Sequence, residues 1–339
     1  MDLKWLEDFV SLAETRSFSR SAELRHVTQP AFSRRIQALE AWLGTELIDR
    51  SVYPTRLTDA GQVFHEQALA LLSQMREARA LLRSQGGAQH ATLALAVPHT
   101  LSLTFFPRWL QRIEQRLAES GALSTAKLKT RMRAQNVHDA LLSLVEGGCD
   151  LVMAYHHPSH PVVLDPTRYE MAVLGQEAIS LFSAPAGAPV PGGGEPRFPL
   201  PTNGKRVPFL AYTLNAYLGR MAAYIMAHAP VPLGFEQVYE TDMAEGLKAM
   251  ALEGHGVAFL PHSAVQDECA SGRLVRLDAQ GAIPKPLDGA LTISMEIRLY
   301  RDRLALNGNM TNRTQLEQVW AAAQAEAGIS MSALPAKIF

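Results

Sequence analysis

The sequence predicts an all-α head built as a winged helix-turn-helix, then a long connecting helix, then an α/β domain of two lobes. Three observations predict it. Five arginines sit on two short, capped helical stretches between Arg16 and Arg35. An apolar helical repeat runs from about 58 to 85, and strand-helix alternation begins after a Gly-Gly break at 86–87. A chain of 339 residues has room for two or three separate cores.

Leu3, Leu6, Phe9, Val10 and Ala13 recur at helical spacing and predict a first helix over 3–14. Ser17 or Ser19 can cap a second helix that turns Ala22 and Leu24 inward. Thr28 caps a third, with Pro30 in the first turn, where a missing N–H costs nothing. Its apolar face is Phe32, Ile36 and Leu39; its polar face carries Gln29, Ser33, Arg34 and Gln37. Two helices joined by a short turn, with such a face on the second, match a helix-turn-helix that reads the major groove. Gln pairs bidentately with adenine, Arg with guanine, and Ser with a base edge or a phosphate.

A net charge of −1 for the whole chain argues against nucleic acid, but the five arginines stand among a single acid, Glu23. Local charge decides, because phosphate attraction fades over a Debye length of about 8 Å. The acids Asp2, Glu7 and Asp8 are expected on a helix that faces away. Next, "TELIDRSVYPTRLTDAG" places Pro54 between Arg50 and Arg56 and then Thr58 as a new cap. It reads as a short wing with an arginine at each end, suited to flanking phosphates. The helix from about 58 to 85 carries Phe64, Ala68, Leu71, Leu72, Met75, Ala78 and Leu82. A stripe of that length is expected to pack on a second chain.

Gly86 and Gly87 end that helix and start a linker. Strands are then predicted at 91–97, 126–134 and 149–155, with helices at 101–117 and 137–146, so a mostly parallel sheet is expected. A second block holds "MAVLGQEAISLFSAP", "VPFLAYT", a helix over 216–228, "FEQVYET", a helix over 243–253 and "GVAFLP". The chain then returns with a strand in 289–300 and a helix over 311–325. The expected division is a DNA-binding domain over 1–58, a linker and dimerisation helix over 59–89, and an effector domain over 90–339. Within the last, lobe I takes about 90–156 and 264–339, and lobe II about 157–263.

Two cysteines, Cys149 and Cys269, are too few for a disulfide framework, and a reducing cytoplasm fits them. No apolar run approaches the ~20 residues of a membrane span, and "MDLKWLEDFV" is not a secretory signal.

"FSRSAELRHVTQPAFSRRIQALEAWLGTELIDR" followed by "RLTDAG" resembles the head of the LysR-type transcriptional regulators. "VEGGCDLVMAY" and "ALEGHGVAFLP" resemble phrases of that family's effector domain, more loosely. Ile48 departs from the pattern, since the family usually carries Phe there. "HTLSL", "YTLNAYLGR" and "MAEGLKAMALEGHGVAFLP" are most similar to its hypochlorite-responsive branch. The resemblance implies a winged helix-turn-helix, a dimerisation helix and a periplasmic-binding-protein-like effector domain. It also implies homodimers assembling to homotetramers on double-stranded promoter DNA, with RNA polymerase as a further partner. Carried onto this sequence, DNA contacts fall on Thr28, Gln29, Pro30, Ser33, Arg34 and Gln37, with Arg50 and Arg56 in the wing.

In a two-lobed α/β domain a ligand sits beyond the carboxyl ends of the strands. His99, Thr100, Leu101 and Ser102 follow the first strand at a helix start, whose free N–H groups attract an anion. Tyr212, Thr213, Asn215 and Tyr217 would face them, with Thr241, Asp242 and Met243 as a third contribution. Hydroxyls and amides there suit a small organic acid, and Asp242 adds a partner for an amino acid's ammonium. The plainer reading is that Thr100 and Ser102 merely cap their helix. A second effector model is oxidation of a methionine, with Met243 at the matching place; Leu218 stands where a methionine would strengthen it. Most of the 12 methionines read as packing.

"HHPSH" (156–160) lacks the interleaved acids or cysteines of a metal set and reads as a polar hinge between lobes. "PVPGGGEPRFPLP" is followed by proline rather than a helix, so it is a surface loop and not a phosphate cradle. No cofactor and no metal are expected. The rival class is an enzyme or small-molecule binding protein whose helical head only dimerises it. No nucleophile elbow, phosphate loop or dinucleotide fingerprint supports that rival.

Overall fold

A computed structural model describes residues 2–332 except 26, 53–54, 85–91, 122–126, 192, 201–205, 278–290 and 304–309. The head opens with α1 (Leu3–Thr15), α2 (Phe18–Leu24) and α3 (Gln29–Leu43). Asp2 caps α1 by accepting the Lys4 amide, and Ser17 caps α2 by accepting that of Arg20. Thr28 stands at the N-cap of α3 without a side-chain bond, and Pro30 takes the first turn. Gly44 ends α3 at φ +71°, a left-handed turn that favours glycine.

Leu6, Phe9 and Val10 of α1, Ala22 of α2, and Phe32, Ile36 and Leu39 of α3 form the head core. Each large side chain buried there contributes roughly 1.5–3 kcal/mol. The wing is a two-strand hairpin, β1 (Ile48–Asp49) antiparallel to β2 (Arg56–Leu57). Pro54, predicted at its tip, lies outside the described residues. Thr58 then starts α4 (Asp59–Ser84) by accepting the Gly61 amide at 2.9 Å. Gly61 itself admits no side chain, because a Cβ would meet the Leu47 carbonyl oxygen at 2.1 Å.

The apolar stripe of α4 is shared between two faces, so only part of it is left for the second chain expected to cover the whole. Ala68, Leu69 and Leu72 are buried, and Phe64 packs on Phe9 with ring centroids 5.3 Å apart. Leu71 and Met75 stay exposed. The side chains of Ala78 and Leu82, and the Gly86–Gly87 linker, lie outside those described. The acids of α1 also depart from expectation. Glu7 and Asp8 turn toward the arginines, and Asp8 is wholly buried between Arg25 and Arg35 at 2.8 and 3.1 Å. A carboxylate removed from water needs such partners. Two of the five arginines are therefore internal ties rather than phosphate contacts.

The α/β region begins with β3 (Thr92–Pro98), α5 (His99–Thr104), α6 (Phe106–Glu119), β4 (Lys129–Gln135), α7 (Val137–Val145) and β5 (Leu151–His156). One helix is expected over 101–117; two are found, broken at Phe105, because Pro107 in the next turn has no N–H to continue the ladder. Next come β6 (Tyr169–Ser183), β7 (Val207–Tyr212), α8 (Tyr217–Ala227), β8 (Phe235–Thr241), α9 (Ala244–Leu252) and β9 (Ala258–Pro261). A 3-10 turn (His262–Ala264), α10 (Gln266–Ala270), β10 (Val275–Arg276), β11 (Ile293–Asp302) and α11 (Met310–Ser332) complete the described chain.

Among the described residues the main sheet has seven strands, ordered β10-β6-β11-β5-β3-β4, with β9 also on β6. Strands β4, β3 and β5 are parallel, as βαβ crossovers require. The sheet as a whole is mixed, not mostly parallel: the returning β11 runs antiparallel to both β5 and β6. The 15-residue β6 pairs with β11 along its first part and with β9 and β10 near its end, so one strand serves both lobes. β7 and β8 form a separate parallel pair, tied at their ends by the Thr213 amide donating to the Thr241 carbonyl.

Candidate nucleic-acid interface and effector cleft

On α3, Gln29, Pro30, Arg34 and Gln37 are exposed together with Thr28 at the cap, and Ser33 is half-buried. The apolar positions three and four residues along turn the other way, into the core, so the helical period itself delivers this polar face to solvent. Gln29 accepts a long bond from Ser19 at 3.4 Å and is otherwise held by its helix. Arg56 is exposed on β2. Arg50 is more constrained. It donates to Glu40 at 2.5 Å and lies over the Phe18 ring at 5.9 Å. Glu40 is the residue that sequence reasoning missed here: its other oxygen accepts the amides of Leu47 and Ile48 at 2.9 and 3.1 Å. A buried carboxylate near the end of α3 thereby sets where the wing starts. Thr55 ties the wing to the end of α1 by donating to the Arg16 carbonyl.

In the α/β domain the predicted effector residues scatter over different roles. Thr100, Leu101 and Ser102 are buried and His99 is half-buried; the Ser102 hydroxyl donates to the His99 carbonyl at 2.6 Å, bonding back onto α5. Tyr212 is buried at the end of β7, Thr213 is half-buried and Asn215 is exposed. Thr241 is half-buried, with Asp242 and Met243 exposed at the start of α9. Tyr217 donates to the His160 carbonyl at 3.1 Å and stacks on Tyr155 with centroids 6.1 Å apart. Its other neighbour is Arg220, 5.4 Å from the ring. It borders a cavity of about 1400 Å³ shared by the head and the α/β domain, which Arg20, His138 and Arg220 also line. Tyr217 thus rests on the turn between β5 and β6. Nearby, Ser159 bonds to both His157 and His160, and His156 accepts the Val162 amide; these imidazoles brace the turn.

Three residues that the sequence reading did not select interact electrostatically with Tyr212. They are Tyr155 at the end of β5, Glu177 within β6 and Glu245 in the first turn of α9. Tyr155 and Glu177 share a sheet face, since β11 pairs Ile297 with Tyr155 and Met295 with Glu177. Gly175 lies on that face too, under the Phe105 ring. Glu177 accepts the amide and hydroxyl of Ser263. Burial raises its carboxyl above the ordinary value, against these hydrogen bonds. Burial likewise pushes both phenols up, with Glu177 and Glu245 adding like-sign repulsion to each. A charge in the middle of "MAVLGQEAISLFS", an otherwise apolar strand, was the available signal. Gly219 lets α8 approach this place; a Cβ would meet the Thr213 carbonyl oxygen at 2.3 Å. Cys149 is buried; Cys269 is half-buried and desolvation raises its thiol, so Cys269 is not activated.

Such a head and such a two-lobed domain define a transcriptional regulator rather than an enzyme, and the comparisons give its class. Residues 3–62 match the model of the bacterial regulatory helix-turn-helix proteins of the lysR family, and residues 86–290 match the LysR substrate binding domain. The chain belongs to the LysR family of DNA-binding transcriptional regulators. Among its relatives is the HTH-type transcriptional regulator YjiE of Escherichia coli K12. That protein is 32% identical over 82% of this chain and 84% of its own. Vibrio fischeri DarR, solved with DNA, superposes with a TM-score of 0.55 at 27% identity, covering 96% of this chain and 98% of that one. Full-length HypT of Salmonella typhimurium, a hypochlorite-specific member, gives 0.54 at 30%, covering 98% and 100%. Among the described residues no helix is long and apolar enough to cross a membrane.

Proposed function

We propose that the chain binds promoter DNA through Thr28, Gln29, Pro30, Ser33, Arg34 and Gln37 of the α3 face, with Arg50 and Arg56 flanking. A small organic or amino acid between the lobes would switch it, in the cytoplasm. The division expected from the sequence is kept: head 1–58, linker/dimerisation helix and hinge 59–89, effector domain 90–339. The observation that carries the reading is the solvent-facing polar surface of α3, whose side chains stay clear of the core. The exposed Leu71 and Met75 on α4 suit a second copy of the helix, so a homodimer, doubled to a homotetramer, presents paired recognition helices. RNA polymerase is the further partner that a promoter-bound regulator would meet.

The test is a mobility shift on the adjacent promoter with Gln29→Ala and Arg34→Ala. Each lost bidentate base contact costs about 1–3 kcal/mol, so each variant weakens specific binding by roughly five- to 150-fold. Unchanged affinity in both removes the proposal. A second reading, methionine oxidation, is favoured by one observation: the Met243 side chain is 41% exposed at the start of α9, open to an oxidant. Transcription induced by hypochlorite and lost in Met243→Ile would support it.

A further inference from the structure

We infer that the buried polar cluster of Tyr155, Glu177, Tyr212 and Glu245 takes a ligand bearing a positively charged nitrogen: an amine, amidine or guanidine. The inference rests on the proposed effector reading and narrows it. It replaces the anion expected at the start of α5 with a cation further inside.

The four polar side chains come from four elements: β5, β6, β7 and the first turn of α9. The phenol oxygens of Tyr155 and Tyr212 are buried and have no hydrogen-bond partner, and the same holds for one carboxylate oxygen of Glu245. The rings are 1% and 5% exposed, so these oxygens have given up water without a replacement. An unmet buried phenol or carboxylate is expensive, and retaining three together points to something outside the chain that satisfies them. They lie close enough to act on one another: Glu177, Tyr212 and Glu245 all bear on the Tyr155 phenol, and both glutamates bear on Tyr212.

The sign of the group is negative, and among the described residues no basic side chain offsets it. Lys248, one turn beyond Glu245, is engaged with the Ala264 carbonyl at 2.9 Å and with Glu268 at 3.4 Å. Arg298 follows Ile297 on β11 and so projects from the opposite sheet face, where it pairs with Glu296. His262, whose neighbour Ser263 holds Glu177, shares a hydrogen bond with the Ser180 hydroxyl at 2.7 Å. An anionic ligand would meet two carboxylates in a low-dielectric space, where repulsion is poorly screened. An ammonium or guanidinium supplies several donors to the free Glu245 oxygen and to the phenol oxygens, and offsets the charge of both glutamates. The Tyr faces add cation–π attraction. A cation held by Glu177 and Glu245 ties strand β6 of the main sheet to α9.

The experiment uses the full-length chain and six probes in calorimetry and thermal melts: putrescine, agmatine, L-arginine, L-lysine, succinate and benzoate. At least one cationic probe is expected to bind and raise the melting temperature. Its affinity should fall tenfold or more in Glu245→Gln and in Glu177→Gln, and less in Tyr212→Phe. The amide oxygen that Glu177→Gln introduces can still accept from Ser263; a circular dichroism spectrum like the parent's confirms folding, and Glu245→Gln decides alone if Glu177→Gln does not fold. Binding of the carboxylates only, unweakened by either Gln variant, overturns the inference and leaves the effector reading standing. A cationic probe that binds equally well to both Gln variants overturns the site. Silence from all six probes overturns the inference and the small-molecule reading together.

Discussion

The bond set around Glu40 gives the most quantitative prediction. Its carboxylate, 7% exposed, accepts the Leu47 and Ile48 amides and receives Arg50, so it joins the recognition helix to the wing. Glu40→Ala leaves two buried N–H groups without an acceptor. Each unmet group costs about 1–3 kcal/mol, so about 3 kcal/mol in all is a conservative sum. At 1.4 kcal/mol per tenfold, local opening of the wing becomes on the order of a hundred times more frequent. Glu40→Gln keeps an amide oxygen for both donors and loses only the charge, for about 1 kcal/mol and roughly a fivefold change. The assay is amide hydrogen exchange on the full-length chain, read at Leu47 and Ile48, with the amides of α6 as the reference for global opening. A change of less than twofold in Glu40→Ala, or equal loss in the Ala and Gln variants, would refute the assignment of Glu40 as the acceptor that fixes the wing.

Two further outcomes follow from the same kind of accounting. Asp150 accepts the Ala94 amide at 2.7 Å, yet desolvation pushes its carboxyl up to about 6 from an ordinary 3.8. The folded chain therefore holds that proton more tightly than the unfolded chain. The associated stability is present below pH 4 and lost as pH rises through 6. Asp150→Asn should melt higher than the parent at pH 7.5, by no more than about 3 kcal/mol, with the gap closing by pH 4 in thermal melts. Parallel curves across that range would contradict the assignment. Leu71→Glu on α4 should shift the chain toward monomer in sedimentation, with unchanged helical content. An assembly state like the parent's would show that this face is not where the copies meet.

The fold was legible wherever local chemistry decides. Caps at Ser17 and Thr58, Pro30 in a first turn, and the period of apolar residues place the head helices to within a residue or two. Strand-helix alternation places most α/β elements, although the helix expected over 101–117 is split in two and β4, β11 and α11 miss their expected bounds by several residues. What the sequence could not show was pairing between distant segments. β11 is an apolar strand under either orientation, and only its place between β5 and β6 makes the sheet mixed. Helical spacing alone sends the acids of α1 to solvent, because it does not say which element packs beside them. Asp8 is buried because α2 and α3 bring Arg25 and Arg35 to it.

The same limit explains the cleft. Polar residues just beyond strand ends are easy to select, and Tyr212 is found that way. Its companions Tyr155, Glu177 and Glu245 come from positions 155 to 245, inside or after apolar runs, and share no motif. A glutamate within a strand that pairs on both edges is nonetheless anomalous by elementary energetics, since desolvating it without a reward would select against it. Ser263 supplies part of that reward, and the unmet phenols opposite leave the rest to a ligand. A ligand that offsets the cost of burying Glu177 favours whichever arrangement holds Glu177 and Glu245 together, and an effector that favours one arrangement over another is all that linkage to a DNA-binding head requires.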